Sequence, residues 1–291
     1  MLLKSVLMGF LSFHSVDTTM LKECENHADI ISGCVEREYH SNGKIYWETP
    51  FKNGGREGIE KWYYKSGELR AEMPYKNGGR EGIEKWYYES GELRAEIPYK
   101  NGEKEGIEKR YDENGNLKIE IPYKNGEKEG IEKEYYSNGN LWIETPYKNG
   151  EKDGMVKSYY ENGNLGVETP YKNGKKEGMV KWYYENGSLW RKAPYKNGKI
   201  EGIEKWYYEN GSLASERPHK NDEAHGNLKY YTEDGGLLAL LKAENGKITS
   251  GKCYNNKAPT NKDLEEIGRF YSAGKGINYL QKICLKESDS K

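Results

Sequence analysis

The chain has 291 residues, 34% hydrophobic and 32% charged, with 46 basic residues against 47 acidic ones and a formal net charge of -1. The two signs are interleaved along the whole sequence, which argues against the segregated basic patch that nucleic acid or an anionic bilayer surface requires. Tyrosine is the dominant aromatic, 26 residues against four phenylalanines. A tyrosine ring packs while its hydroxyl stays hydrated, so this composition points to a thin, half-wetted structure and not to a thick core.

Met1 to Phe13 carries one lysine and then a short apolar run. It reads as a secretory signal, being too short for the roughly 20 residues that cross a bilayer. The segment Phe13-His14-Ser15 lacks a small-x-small cleavage pattern. The alternative for residues 1–20 is therefore an apolar segment that folds onto the first repeat. Four cysteines flank the middle of the chain, Cys24 and Cys34 before it and Cys253 and Cys284 after it. Paired as Cys24–Cys34 and Cys253–Cys284 they would staple the two ends, which implies an oxidising compartment. The expected location is periplasmic or secreted, with the cytoplasm as the alternative, and no transmembrane segment is expected.

Between the cysteines the chain is periodic. Pro50, Pro74, Pro98, Pro122, Pro146, Pro170, Pro194 and Pro218 recur every 24 residues. A fixed short period is the signature of an array in which one small unit stacks on its copies. Within a unit, Ile59 to Tyr64 is rich in β-formers, Lys65-Ser66-Gly67-Glu68 is a turn, Leu69 to Tyr75 is a second strand and Lys76-Asn77-Gly78 a second turn. Asn-Gly between β-rich runs is a strong hairpin signal, because both residues tolerate positive φ. The expected fold class is all-β: an elongated antiparallel meander of 24-residue hairpins with a small helical C-terminal cap. A β-solenoid is the competing shape.

Charge predicts the register. A two-residue turn at Ser66-Gly67 sets Tyr64 opposite Leu69, Trp62 opposite Ala71 and Lys61 opposite Glu72. It likewise pairs Arg37 with Glu48, Lys85 with Glu96, Lys109 with Glu120, Lys133 with Glu144, Lys157 with Glu168 and Lys205 with Glu216; Lys181 with Lys192 breaks the rule. A three-residue turn would instead oppose Glu60 to Glu72, and opposite signs across strands favour the first register by roughly 0.2–1 kcal/mol per pair. One face then carries Trp62, Tyr64, Leu69, Ala71 and Met73, the other Ile59, Tyr63 and the Lys61–Glu72 pair. Proline lacks an N–H, so the second strand is expected to end or kink near each Pro-Tyr.

A worn ninth unit, His225 to Lys242, keeps Tyr230-Tyr231 but loses the proline, and its strand turns apolar in Leu237-Leu238-Ala239-Leu240-Leu241. A tail helix is the expected cover: Thr260 to Asp263 offers N-caps, and Leu264, Ile267 and Tyr271 recur at helical spacing. A second helix is expected from Ile277 to Leu285. The organisation is thus 1–20 signal or apolar segment, 21–34 N-terminal cap, 35–254 about nine hairpin repeats, and 255–291 helical cap.

The unit Glu-Gly-Ile-Glu-Lys-Trp-Tyr-Tyr-Glu-x-Gly-x-Leu, closing on Pro-Tyr-Lys-Asn-Gly, resembles the MORN-repeat variant of YwqK-type antitoxin proteins. The carrying residues are Gly82, Gly106 and Gly130, the pair Tyr87-Tyr88, the Gly turn, Leu93 and Leu117, and Tyr-Lys-Asn-Gly. The resemblance implies an antiparallel array used for binding, in some members as antitoxin or immunity partner of a bacterial toxin. A weaker resemblance, through Lys-Trp-Tyr-Tyr and a Gly turn, is to choline- and glucan-binding cell-wall repeats.

Catalysis has little footing. The histidines His14, His27, His40, His219 and His225 follow no metal-ligand pattern, the carboxylates recur with the period, and the glycines mark turns rather than a phosphate loop. No enzyme activity, cofactor or metal is expected. The binding reading rests on rings: Trp62, Trp86, Trp182 and Trp206 share one repeat position that elsewhere holds Arg110, Glu134 and Ser158. With Tyr64, Tyr88, Tyr184 and Tyr208 they form the candidate partner-binding face, since Trp and Tyr dominate interface hot spots. The opposing reading is that the rings only cover the sheet. A protein partner, such as a toxin or an envelope protein, is expected; carbohydrate is the alternative, and nucleic acid is not expected.

Overall fold

The computed structural model describes residues 18–269 and 273–285. The expected signal segment lies outside them except at Thr18–Met20, a single 3-10 turn, and Tyr271 also lies outside. The described chain forms 27 strands in an antiparallel β-meander and two helices at its C-terminal end, with one short helix before the first strand. It divides into two compact units, the first ending at Gly139 and the second beginning at Asn140.

Each repeat has three strands, seen in the first unit as an outgoing strand Gly58–Tyr63, a return strand Leu69–Lys76 and a two-residue strand Gly79–Arg80. The ladder sets Lys61 against Glu72 and Trp62 against Ala71, as charge dictates, and the expected face holds for Trp62, Ala71 and Met73, whereas Leu69 pairs with Tyr63 of the other face. The turn that produces this register is not the expected one. Gly67 N–H donates to Tyr64 O and Tyr64 N–H to Glu68 O, with Gly67 at φ 94°, which makes a three-residue loop closed by a left-handed glycine. Tyr63, not Tyr64, faces Leu69, and Arg70 is the extra residue of a bulge beside it. Loop and bulge each shift the register by one residue in opposite senses, so Lys61 still meets Glu72. The second turn is a two-residue loop with Asn77 at φ 50° and Gly78 at φ 81°.

The return strand runs straight through its proline, Pro74 pairing with Ile59, so the expected break at Pro-Tyr is absent. The irregularity lies in the chain facing it. Pro74 O accepts from Glu81 N–H, so the edge where the missing N–H would point is met by the loosely paired stretch from Glu81 to Glu84. Glycine fits there for a second reason: a Cβ on Gly106 would lie 3.2 Å from Cγ of Pro98, and one on Gly154 only 2.9 Å from Cγ of Pro146. The two period markers of the sequence are thus one contact, glycine under proline.

Successive hairpins join through the same row. Glu72 pairs with Lys85 of the next unit, Glu96 with Lys109, Glu120 with Lys133, Glu144 with Lys157 and Glu168 with Lys181. The outer tyrosine completes each step: Tyr63 donates to Glu48 at 2.8 Å, Tyr87 to Glu72 at 2.9 Å, Tyr135 to Glu120 at 2.8 Å, Tyr159 to Glu144 at 2.9 Å and Tyr183 to Glu168 at 2.8 Å. Partial burial, reinforced by the carboxylate acceptor, pushes the phenols of Tyr159 and Tyr183 up to about 12.

The ends are closed as the cysteines suggest, by Cys24–Cys34 and Cys253–Cys284. Helix α1 (His27–Ser32) is capped by Asn26, whose side chain accepts from Ala28 and Asp29 N–H. In the second unit, α2 (Asn261–Arg269) begins on a reciprocal cap in which Thr260 and Asp263 bond each other's backbone N–H. With α3 (Ala273–Cys284) it buries Leu264, Ile267, Ile277 and Leu280 against Leu228, Leu238 and Leu241. The apolar ninth strand therefore has the cover it needs, although Leu237 at its start stays exposed.

Candidate functional site

The face carrying the tryptophans is the more buried one. In the first unit Ala71, Met73 and Tyr75 form its small core, with Trp62 and Trp86 packed against them. Sequence reasoning missed what stands beside those rings. Glu60, Glu84 and Glu108, and Glu204 in the second unit, are buried carboxylates. Glu60 accepts from the Trp62 indole at 2.7 Å and Glu84 from Trp86 at 2.6 Å. Arg80 lies 2.9 Å from Glu84, and Glu108, with no exposed surface, is held by Lys104 at 2.7 Å and Arg110 at 2.6 Å. Burial works against ionisation of Glu108, but those two cations outweigh it and lower its pKa.

Of the residues expected to bind a partner, Trp62, Trp86 and Trp182 are half-buried and Trp206 is only 6% exposed. Tyr64, Tyr88, Tyr184 and Tyr208 are half-buried and donate their hydroxyls to the backbone of the next repeat, at Tyr87, Tyr111, Tyr207 and Tyr231, over 2.7–2.9 Å. Both tyrosines of each pair are therefore joints between repeats. The four residues from 62 to 88 belong to the first unit and the four from 182 to 208 to the second.

The bulge residue reaches outward where it is charged or a tryptophan, and is buried at Gly166, Ala214 and Leu238. Its column reads Tyr46, Arg70, Arg94, Lys118, Trp142, Gly166, Trp190, Ala214 and Leu238. A residue that varies this widely directly after a leucine (Ile45 in the first copy) was the available signal. Trp142 and Trp190 are 42% and 36% exposed. Trp190 meets Trp206 edge-on at 5.2 Å between ring centroids. In the first unit Arg70 lies over Tyr64 at 5.7 Å and Trp86 at 6.0 Å, and Arg94 over Tyr88 at 5.7 Å.

These side chains line a depression of about 550 Å³ walled by Arg70, Trp86, Tyr88, Arg94, Lys104 and Arg110, with Lys118 and Ile119 at its far end. Five cations face one carboxylate, Glu108, in a chain whose overall charge is -1. The evenness seen along the sequence is thus not evenness on the surface: cations 24 residues apart come together on one face. Among the described residues no cluster of His, Cys, Asp and Glu has a metal-holding arrangement, and no helix is long and apolar enough to cross a membrane.

Comparison with solved structures finds low-scoring likenesses. S. aureus TarM aligns at 11% identity and TM-score 0.20, over 46% of this chain and 22% of TarM. A GtfA/B complex aligns at 16% and 0.18, over 48% of this chain and 24% of the other. TcdB2-TccC3 aligns at 12% and 0.19, over 77% of this chain and 14% of the other. At these scores the likenesses carry no argument about function. No curated protein matches the chain in sequence. The MORN repeat variant profile, by contrast, matches eight consecutive stretches, 35–53, 56–77, 80–101, 104–125, 128–149, 152–173, 176–197 and 200–221, each covering one hairpin and the turn after it. The 24-residue hairpin array with its Tyr pairs and Asn-Gly turns belongs to the MORN repeat variant family.

Proposed function

We propose that the protein is a non-catalytic scaffold that binds a partner protein through the tryptophan-bearing face, at the variable bulge column. The observation that carries this reading is the division of labour between neighbouring columns. The tyrosines are joints between repeats, whereas Arg70, Arg94, Trp142 and Trp190 project beside them and change chemistry from unit to unit. A constant frame with a variable exposed column is what recognition by an array requires. A role as antitoxin or immunity partner is a narrower form of the same reading, and the two disulfides suit an extracytoplasmic setting.

The test is cross-linking of the intact, oxidised protein to its partners in the source cells, with the linked peptides mapped. Cross-links concentrated on lysines next to the bulge column support the reading, and cross-links confined to the opposite face refute it. The exposed indoles of Trp142 and Trp190 favour a second reading, carbohydrate binding by ring stacking. Retention on a glycan array that is lost in Trp190→Ala would favour that one.

A further inference from the structure

Among the described residues, Arg70, Arg94 and Lys118 have no carboxylate in ion-pair contact, while the other two cations of the cleft, Lys104 and Arg110, share Glu108. Three side chains of one sign on one face, beside rings, make a row of positive charge that an extended anion would complement. The row beneath them is regular: Trp62 pairs with Ala71, Ala71 with Trp86, Trp86 with Ala95, Ala95 with Arg110, and Arg110 with Ile119. Arg70, Arg94 and Lys118 each precede a return-strand member of this row. One outgoing strand separates each from the next, so the step is two strand spacings, about 9.6 Å.

That step selects a ligand geometry. A polyproline II helix rises about 3.1 Å per residue with three residues per turn, so equivalent side chains recur about every 9.3 Å. Over the two steps from Arg70 to Lys118 the mismatch stays below about 1 Å. Trp86 and Tyr88 lie in the same lining and offer faces for the pyrrolidine rings between. We infer that this cleft binds an acidic, proline-rich segment of a partner protein in polyproline II form, with a carboxylate at every third residue meeting Arg70, Arg94 and Lys118 in turn. The inference rests on the scaffold reading above and names the partner chemistry for that same face.

The experiment uses the intact, oxidised protein and two labelled peptides of one composition: about five Glu-Pro-Pro triplets, and the same residues with the glutamates in one block. Fluorescence anisotropy is expected to show the periodic peptide binding about tenfold more tightly. The double variant Arg70→Gln/Arg94→Gln is expected to lose about tenfold or more, with Arg70→Lys/Arg94→Lys recovering most of it if charge is what matters. Lys76→Gln, at the exposed end of a return strand, is expected to leave binding unchanged. Circular dichroism separates misfolding from lost binding, and a variant that misfolds hands the decision to the lysine pair and to the peptide comparison. Equal affinity for the two peptides, or indifference to the arginines, overturns the inference. A sulfated oligosaccharide or an oligonucleotide that displaces the peptide at lower concentration overturns it too, by assigning the cleft to another ligand class. If neither peptide binds while cross-links still fall beside the bulge column elsewhere, this inference fails and the scaffold reading stands; if the cross-links avoid the column, both fail.

Discussion

Glu204 offers the most demanding test of the buried-carboxylate column. It is 2% exposed, its Oε1 accepts from Arg191 Nε at 2.6 Å, and its Oε2 lies 3.0 Å from His219. Burial opposes its ionisation, but the His219 hydrogen bond and the charges of Arg191 and Arg217 prevail and hold its pKa at about 2, against an ordinary value of 4.5. At about 1.36 kcal/mol per unit, the folded state prefers the charged form by about 3 kcal/mol. The sign follows from linkage: the folded pKa is depressed, so this stability is present above pH 4.5 and drains away as pH falls towards 2. Glu204→Gln keeps the shape and removes the charge. We expect it to cost about 3 kcal/mol at neutral pH and to differ little from the wild type near pH 2. Repeat arrays need not unfold as one unit, so amide exchange of the strands Gly202–Tyr207 and Leu213–Lys220 is the readout, with urea denaturation beside it. A loss below about 0.5 kcal/mol at neutral pH, or a difference that persists undiminished at pH 2.5, would refute the reasoning.

Three further perturbations probe the frame. Lys192 stands between Lys181 and Lys205, the one interruption of the alternating row, so Lys192→Glu should stabilise by about 1 kcal/mol in urea denaturation, taking two exposed pairs at the low end of their range. The same change should give Tyr207, whose ring now lies 5.5 Å from the Lys192 ammonium, the carboxylate acceptor its counterparts have. Gly154→Ala and Gly163→Ala both place a side chain at positive φ, but only the first meets an atom, Cγ of Pro146 at 2.9 Å. Thermal melts should therefore show about 2 kcal/mol lost in the first and about 1 kcal/mol in the second. Replacing Cys253 and Cys284 by serine opens a loop of 31 residues and should cost roughly 3–4 kcal/mol, read as faster exchange in α2 and α3 with the first unit unaffected.

Periodicity made most of the fold legible before any coordinates. Alternating charge at Lys61 and Glu72 fixed which residues oppose each other, because that row depends only on net displacement between strands. The loop at Lys65-Ser66-Gly67 was misjudged because a loop one residue longer, followed by a bulge at Arg70, gives the same displacement. Charge pairing cannot distinguish the two routes. The cleft was hidden for a related reason. Arg70, Arg94 and Lys118 occupy a bulge, and a bulge residue falls outside the alternation that assigns side chains to faces. The charge count hid it again, since residues 24 apart look dilute along the chain and adjacent across the sheet. The buried glutamates gave no sign of burial because each sits between isoleucine and lysine in an alternating strand; their burial depends on cations that mostly come from neighbouring strands.

That dependence explains how one column holds both Glu and Val. At Glu84 and Glu108 the cation comes four residues earlier, from Arg80 and Lys104. Where the column turns apolar, at Val156 and Val180, the lysines at the same offset, Lys152 and Lys176, still lie over the rings of Tyr171 and Tyr195, as Arg80 and Lys104 do over Tyr99 and Tyr123. At Glu204 the offset holds Ile200, which has no charge to give, and Arg191 crosses from the neighbouring return strand while lying 4.1 Å from the Trp182 ring and 4.8 Å from that of Trp206. Trp206 then loses the role its counterparts keep: Trp62 and Trp86 donate to their glutamates, whereas the buried Trp206 indole has no acceptor. The buried glutamates Glu84, Glu108 and Glu204 of this column each have a cation supplied, and at Glu204 the supplier, Arg191, also lies against the indoles next to the bulge. Around Glu204 the chemistry beside the exposed column is therefore tied to the buried carboxylate beneath it: replacing Ile200 by a cation would free Arg191 from Glu204 and so change what Trp182 and Trp206 pack against.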